Sequence, residues 1–233
     1  MNLYKYDVHV HTEEVSPCGM VAAEKAVRMY KEAGYDGLVI TDHFRSRFFE
    51  ELNGFSWEEK IDKYLRGYYK AKEMGIKLDV RVLLGLEVTF SEYYNDYLIF
   101  GIDENFLKRH RNLHKMDLDE FYNFKEKVKQ DILIYQAHPF RNKMTIVDPE
   151  LLDGVEVYNG NPRHDSRNDM AQQYARRHHL KKISGSDFHE LEDIDRGGIL
   201  LPDYPDDEKE LVQFLIDDYI EELLIADEEC SIC

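Results

Sequence analysis

Long apolar runs and secretory features are missing from this chain. No apolar stretch approaches the roughly 20 residues that a membrane span requires. Its first residues, MNLYKYD, contain neither a basic nor an apolar signal-peptide region, which argues against secretion. Three cysteines, an odd number in a chain of 233 residues, do not suggest a disulfide framework. We therefore expect a cytoplasmic protein with no membrane partner.

Positive charge is also scarce, because 30 Lys and Arg residues face 47 Asp and Glu residues and leave a formal net charge of −17. Long polyanions are bound by clustered basic side chains, so this balance argues against long duplex nucleic acid as a partner. A small phosphorylated substrate stays compatible, since bound metal ions reverse the local potential. The oligomeric state does not follow from these features.

No linker rich in Pro, Gly or Ser and no internal repeat interrupts the chain. Apolar runs of strand type alternate instead with segments of helical periodicity, in about seven β-α units. One α/β barrel domain over residues 1–233 is the simplest interpretation, with 205–233 as an acidic C-terminal helix and tail. We expect strands at 6–10, 38–40, 79–84, 97–100, 132–137, 154–158, 181–184 and 199–201, and helices at 22–33, 57–74, 118–128, 165–179 and 207–224.

Five short segments rich in histidine and carboxylate carry the functional signal. They are residues 9–11 (HVH), 41–43 (TDH), 85–87 (GLE), 137–139 (AHP) and 185–189 (GSDFH). Each lies at or just after an apolar run where a strand should end, so a sheet would bring all five to one edge. Imidazoles and carboxylates together suit Zn, Mn or Fe. The pattern predicts a multinuclear metal-dependent hydrolase.

Two of these segments show why the residue types matter. His9 and His11 are two apart on a strand, so both side chains point to the same side and can reach one ion. Glu87 follows an apolar strand, where an unpaired carboxylate would be costly unless it met a cation. Each feature alone is weak evidence, and their repetition at five strand ends is what indicates a metal site.

The five segments resemble the PHP (polymerase and histidinol phosphatase) family of metal-dependent phosphoesterases, over roughly residues 5–200. This resemblance implies a distorted (β/α)7 TIM-like barrel that holds two or three divalent metal ions at the carboxyl ends of its strands. Carried over to the matching positions, it implies the metal ligands His9, His11, His43, Glu87, His138, Asp187 and His189.

Two positions depart from the family pattern. Cys18 stands where the family usually has a carboxylate; its thiolate could bind a soft metal, Glu13 or Glu14 could substitute, or one ion could be held weakly. Asp96 stands where the family often has a histidine, and it is a plausible oxygen ligand. These departures concern a third ion more than the first two.

Catalysis would use a hydroxide that bridges two ions, because metal coordination lowers the pKa of water toward about 7. Arg141 is the first candidate for a phosphate clamp and Arg45 the second, although a plain surface salt bridge fits either equally well. Asp42 and Asn159 are candidates for orienting ligands or substrate. The leaving-group acid stays open, with His189 or a water as candidates.

The leading hypothesis is a phosphatase or phosphodiesterase that acts on a small phosphorylated metabolite or nucleotide. An exonuclease on short oligonucleotides and a non-catalytic metal-binding regulatory module are the alternatives. An amidohydrolase would normally be longer and carry a carboxylated lysine at a strand end, for which no candidate is evident. Outside the five segments, we expect His110 and His114 to be solvated, and the CxxC at 230–233 to be a terminal tail rather than a metal or redox site.

Overall fold

A computed structural model describes residues 2–91 and 94–226. They include eleven β-strands and eight α-helices. The strands are β1 Tyr4–Val10, β2 Gly37–Ile40, β3 His43–Phe44, β4 Arg81–Leu84, β5 Leu86–Thr89, β6 Asp96–Phe100, β7 Leu133–Gln136, β8 Gly154–Asn159, β9 Lys181–Gly185, β10 Gly197–Leu201 and β11 Glu222–Ile225. The helices are α1 Ala23–Glu32, α2 Ser46–Glu51, α3 Trp57–Tyr64, α4 Arg66–Leu78, α5 Glu104–Arg109, α6 Leu118–Lys125, α7 Asn168–His178 and α8 Glu208–Ile216.

The strands form two mixed sheets, in the orders β11-β10-β1-β2-β4 and β3-β5-β6-β7-β8-β9. A single parallel bridge between Val10 and Phe188 joins β1 of the first sheet to the segment after β9 of the second. Five pairings are parallel, whereas β1-β10, β10-β11, β5-β6 and β6-β7 are antiparallel. The loop from β5 to β6 is too short for a crossover helix, so this part of the chain departs from the expected β-α units.

Helices cover these sheets through apolar stripes of helical spacing. In α1 the fully buried residues are Ala23, Ala26, Val27 and Tyr30, the i, i+3, i+4, i+7 pattern of a one-sided amphipathic helix. Burying a large apolar side chain of this kind contributes roughly 1.5–3 kcal/mol. The expected helix at 22–33 is confirmed to within one residue at each end.

The helix expected over 57–74 is wrong as a single element. It is divided into α3 and α4 at Leu65, which is the C-cap residue of α3 and the N-cap residue of α4. The α4 helix then packs closely on the loop after β1: a Cβ added to Gly67 would lie 2.1 Å from Thr12 Oγ1 and 2.9 Å from Asp42 Oδ2. Glycine at position 67 therefore permits a contact that a side chain would block.

The acidic C-terminal helix expected to reach residue 224 is also wrong in extent. Helix α8 ends at Ile216, and Asp218 has a left-handed backbone with φ of 57°. The chain then turns into β11, which pairs antiparallel with β10. The CxxC at 230–233 lies outside the described residues.

The expectation that His110 and His114 are solvated is wrong for His114, which is only 3% exposed. Its ring stacks on Phe49 and Trp57, at centroid distances of 4.4 and 5.5 Å. Burial, with Lys115 and Lys60 nearby, lowers the pKa of His114 to about 4. The buried ring is therefore neutral at neutral pH.

Candidate metal centre

Three strands and the residues that follow them provide the first cluster of polar side chains. His9 lies in β1 and His11 just after it, Glu87 lies in β5, and Asp187 follows β9. Val10 and Phe188 form a parallel bridge, which brings Asp187 next to His9 and His11. All four side chains are at most 2% exposed. The strand-end expectation holds for His9, His11 and Asp187, whereas Glu87 lies inside a separate short strand, β5.

The ligating atoms of His9, His11 and Asp187 lie within 4.8 Å of one another, and the Glu87 carboxylate lies beside both histidines. The Nε2 atoms of His9 and His11 are 3.1 Å apart. Carboxylate oxygens of Glu87 lie 3.3 and 3.5 Å from these two nitrogens, and Asp187 Oδ1 lies 3.4 and 3.5 Å from them. In a tetrahedral zinc site with bonds of about 2.0–2.1 Å, neighbouring ligand atoms are about 3.3–3.5 Å apart. The cluster therefore has the spacing of a metal site.

The proton on each imidazole is held away from this cluster. His9 Nδ1 lies 2.8 Å from Glu156 Oε1, and an ionised carboxylate can only accept, so this nitrogen donates. Ser16 Oγ gives its proton to Asp42 at 2.6 Å and so accepts from His11 Nδ1 at 3.0 Å. Both Nε2 atoms then carry lone pairs that face each other, an arrangement that a cation between them would stabilise.

Electrostatics agree with a need for positive charge. Burial alone lowers the pKa of His9, but the charges of Glu156 and Asp187 outweigh it and raise that pKa well above its ordinary value. Burial raises the pKa of Glu87, yet His43 and His138 outweigh it and hold that pKa well below its usual range. The buried carboxylates thus favour a positive charge beside them. A divalent ion can provide that charge by replacing the proton on an imidazole.

A second cluster extends from Glu87 toward His138, Asp96 and His43. His138 Nε2 lies 3.3 Å from Glu87 Oε1, and His43, Glu87 and Asp96 form a further group whose ligating atoms are within 4.8 Å of one another. His138 Nδ1 is buried with no hydrogen-bond partner among the described residues, and His43 Nδ1 and Glu87 Oε2 face each other at 2.5 Å without hydrogen-bond geometry. Such atoms fit metal ligands, because a buried polar group without a partner is otherwise costly.

A third group of side chains surrounds Cys18. Its Sγ lies 3.1 Å from His43 Nε2 and 3.0 Å from His189 Nε2. Burial raises the pKa of the Cys18 thiol, but hydrogen bonds from His189 and His43 outweigh it and lower that pKa to about 6. A thiolate is therefore favoured at neutral pH.

A cavity of about 280 Å³ opens above these clusters. Arg141 Nη2 contacts Asn159 Oδ1 at 2.7 Å and Asp187 Oδ2 at 2.8 Å, with the side chain only 14% exposed. Arg45 donates to Thr89 Oγ1 at 2.8 Å and approaches Asp96. Apart from candidate metal ligands, the lining consists of Arg45, Arg141, Asn161, Arg163, His164 and Glu190.

Comparison with known proteins agrees with these features. The family model for the PHP domain matches residues 7–225. The chain belongs to the PHP domain family. Members of this family include PHP-like metal-dependent phosphoesterases, and the histidine and carboxylate groups described above could hold metal ions. Among curated proteins, none matches the sequence significantly.

Solved structures share the PHP fold at low identity. A two-domain protein from Bacteroides vulgatus that contains a predicted PHP-like metal-dependent phosphoesterase is 20% identical with a TM-score of 0.62; the match covers 86% of this chain and 58% of that one. PsfC from Pseudomonas syringae is 17% identical with a TM-score of 0.63, covering 91% and 88%. An amidohydrolase from Chromobacterium violaceum, with bound sulfate and no metal, is 15% identical with a TM-score of 0.52, covering 95% and 98%. These likenesses show the fold alone.

The structure brings together all seven residues that the PHP resemblance implied, together with Asp96 and Cys18. Asp96 differs in how it arrives, because it begins the antiparallel strand β6 rather than ending a parallel one. Neither glutamate offered as a substitute for Cys18 is placed at the clusters: Glu14 binds the Ala23 amide and pairs with Lys70, and Glu13 is exposed.

Sequence reasoning missed the groups that orient these ligands. Glu156 is fully buried and accepts from His9, from the His138 amide at 2.9 Å and from Asn159 at 2.9 Å. A signal was present, because Glu156 interrupts the apolar strand GVEVYN. Ser16, beneath His11, and Arg163, on the cavity wall, had no comparable local signal.

Proposed function

We propose that this protein is a metal-dependent hydrolase of phosphate esters, acting on a small phosphorylated metabolite or nucleotide. The observation that carries the proposal is the convergence of His9, His11 and Asp187, with Glu87 beside the two histidines, beneath a cavity that Arg141 and Arg45 line. The carboxylates below the cavity would bind the positive metal ions, and the guanidinium groups above would bind the negative phosphate.

The residues of this chain would divide the work as follows. Bound divalent ions, for which Zn, Mn or Fe are the candidates, would supply a hydroxide nucleophile and stabilise charge on the phosphoryl oxygens. Arg141 would bind phosphate through the edge of its guanidinium that is not committed to Asp187 and Asn159. Arg45, 39% exposed at the side chain, also lines the cavity and would bind the phosphate as well.

Cavity size and charge support a small substrate. A volume of about 280 Å³ is near the lower end of the range for small-molecule pockets. The net charge of −17 disfavours a long polyanion.

No helix within residues 2–91 and 94–226 is long and apolar enough to cross a membrane. We also propose that the two sheets, bridged at Val10 and Phe188, form a distorted barrel, and that the protein is cytoplasmic.

The test is release of nitrophenol from matched chromogenic phosphate monoester and diester substrates after reconstitution with Mn, Zn or Fe. We expect metal-dependent turnover that is lost in His9→Ala/His11→Ala. The control is His178→Gln/His179→Asn, which alters two exposed histidines and should leave turnover unchanged. A preference for the diester would direct the search to nucleotides and short oligonucleotides. Binding of metal with no turnover of either ester would favour a non-catalytic module.

A further inference from the structure

The loop after β1 places a sulfur atom between two histidines. Cys18 Sγ lies within 3.1 Å of Nε2 of both His43 and His189. Backbone hydrogen bonds hold this loop in place, from the Gly19 amide to the Ser16 carbonyl at 2.9 Å and from the Met20 amide to the His189 carbonyl at 2.8 Å. The position of the thiol next to His189 is therefore built into the loop.

Glycine at position 19 is a condition for this loop. A Cβ there would lie 2.7 Å from the carbonyl oxygen of Thr12, closer than real side chains approach. The loop therefore packs tightly on the backbone of Thr12, and Cys18 lies at the cavity wall beside the two histidines.

The two imidazoles are oriented through their other ring nitrogens. His189 Nδ1 lies 2.7 Å from the Asp187 carbonyl, which only accepts, so Nδ1 carries a proton and Nε2 faces the sulfur. His43 Nδ1 lies 2.5 Å from Glu87 Oε2, and its Nε2 faces the sulfur as well. A thiolate between two imidazole nitrogens is a set of ligands that a soft divalent ion can bind.

We propose that Cys18, His43 and His189 form a third ion site, and that its sulfur ligand makes the site selective for thiophilic ions such as Zn(II), Co(II) or Fe(II) over Mn(II) or Mg(II). The inference rests on the proposed metal centre and adds to it the identity of one ligand. His11, His43 and His189 also form a group whose ligating atoms lie within 4.8 Å of one another.

Bond lengths are compatible with this assignment. With Zn–S of about 2.3 Å and Zn–N of about 2.0–2.1 Å, sulfur and nitrogen in a tetrahedral site are about 3.5 Å apart. The observed 3.0 and 3.1 Å require an opening of only about half an ångström. Soft thiolate ligands favour Zn and Fe, whereas oxygen ligands suit Mg and Mn, so a thiolate in place of a carboxylate changes the preference of the site.

The experiment uses the full chain with Cys230→Ser and Cys233→Ser, which leaves Cys18 as the only thiol. Metal-stripped protein is titrated with Co(II), and the near-ultraviolet thiolate-to-cobalt absorption and the ions bound per chain are measured. We expect the absorption to be present, and to disappear in the added Cys18→Ser variant together with about one bound ion per chain. Cys18→Asp should keep the ion without the absorption and bind Mn(II) better than Cys18→Ser does.

Circular dichroism checks folding of each variant, which an exposed residue such as Cys18 should not disturb. Absence of the absorption in the protein with Cys18 alone, or its persistence in Cys18→Ser, would overturn the assignment. If two ions still bind and phosphate esters are still hydrolysed in that case, only the sulfur ligand is wrong. If no ion binds at all, the proposed function fails as well.

Discussion

Glu156 provides the sharpest test of how the metal centre is organised. One oxygen accepts from His9 Nδ1 at 2.8 Å, and the other accepts from the His138 amide and Asn159 Nδ2, each at 2.9 Å. Both oxygens must therefore be acceptors. The substitution Glu156→Gln keeps the shape of the side chain but turns one of these acceptors into an NH₂ donor.

Either orientation of the new amide is unfavourable. If its oxygen faces His9, its NH₂ group opposes two donors, the His138 amide and Asn159. If its NH₂ group faces His9, the imidazole must move its proton to Nε2, the atom that points at the first cluster. A buried group left unsatisfied costs about 1–3 kcal/mol, and about 1.36 kcal/mol corresponds to a factor of ten. We therefore expect ion binding to weaken by about 10–100-fold.

Competition between the protein and a colorimetric zinc chelator measures this change directly. The matched control is Glu150→Gln, which makes the same substitution at an exposed glutamate and should bind zinc as the unmodified protein does. Unchanged zinc affinity in a correctly folded Glu156→Gln protein would refute the view that Glu156 sets the tautomer of His9.

Three further changes have defined outcomes. Arg141→Lys should raise KM for a phosphate monoester by about tenfold, because an ammonium group lacks the planar fork of guanidinium; steady-state kinetics would show it, and an unchanged KM would remove Arg141 as the clamp. The pKa of His114 is about 4 in the folded protein and ordinarily 6.5, so protonation of this ring favours unfolding. The contribution of the neutral His114 ring to the free energy of unfolding is complete above about pH 6.5 and falls by up to about 3 kcal/mol toward pH 4. Denaturation followed by the fluorescence of Trp57, the single tryptophan, should therefore be less acid-sensitive in His114→Phe. Equal acid sensitivity of the two proteins would contradict the assignment. Gly67→Ala should lower the free energy of unfolding by about 1–3 kcal/mol through its clash with Thr12, and an unchanged urea midpoint would show that the loop gives way instead.

Much of the candidate site follows from local features of the chain. His9 and His11 are two positions apart in the chain, and the segments that contain Glu87, His138 and Asp187 can be recognised because they follow apolar runs. The helix boundaries were less predictable, since α3 and α4 form a continuous periodic pattern that is divided at Leu65, two residues before Gly67 packs on Thr12 and Asp42. The strand β11 was missed because its pairing partner β10, not its composition, defines it.

By itself, the sequence determined the residue types at the strand ends, the acidic charge and the family, because these depend on neighbours along the chain. Only the tertiary structure decided which groups orient the ligands. Glu156 meets His9 across 147 positions of sequence, and Cys18 meets His189 across 171. Such contacts depend on strand register and on the path of loops, and a register shift of one residue would turn every side chain of a strand to its other face. Periodicity indicates which side chains share a face, whereas packing of the whole chain selects the partners they meet.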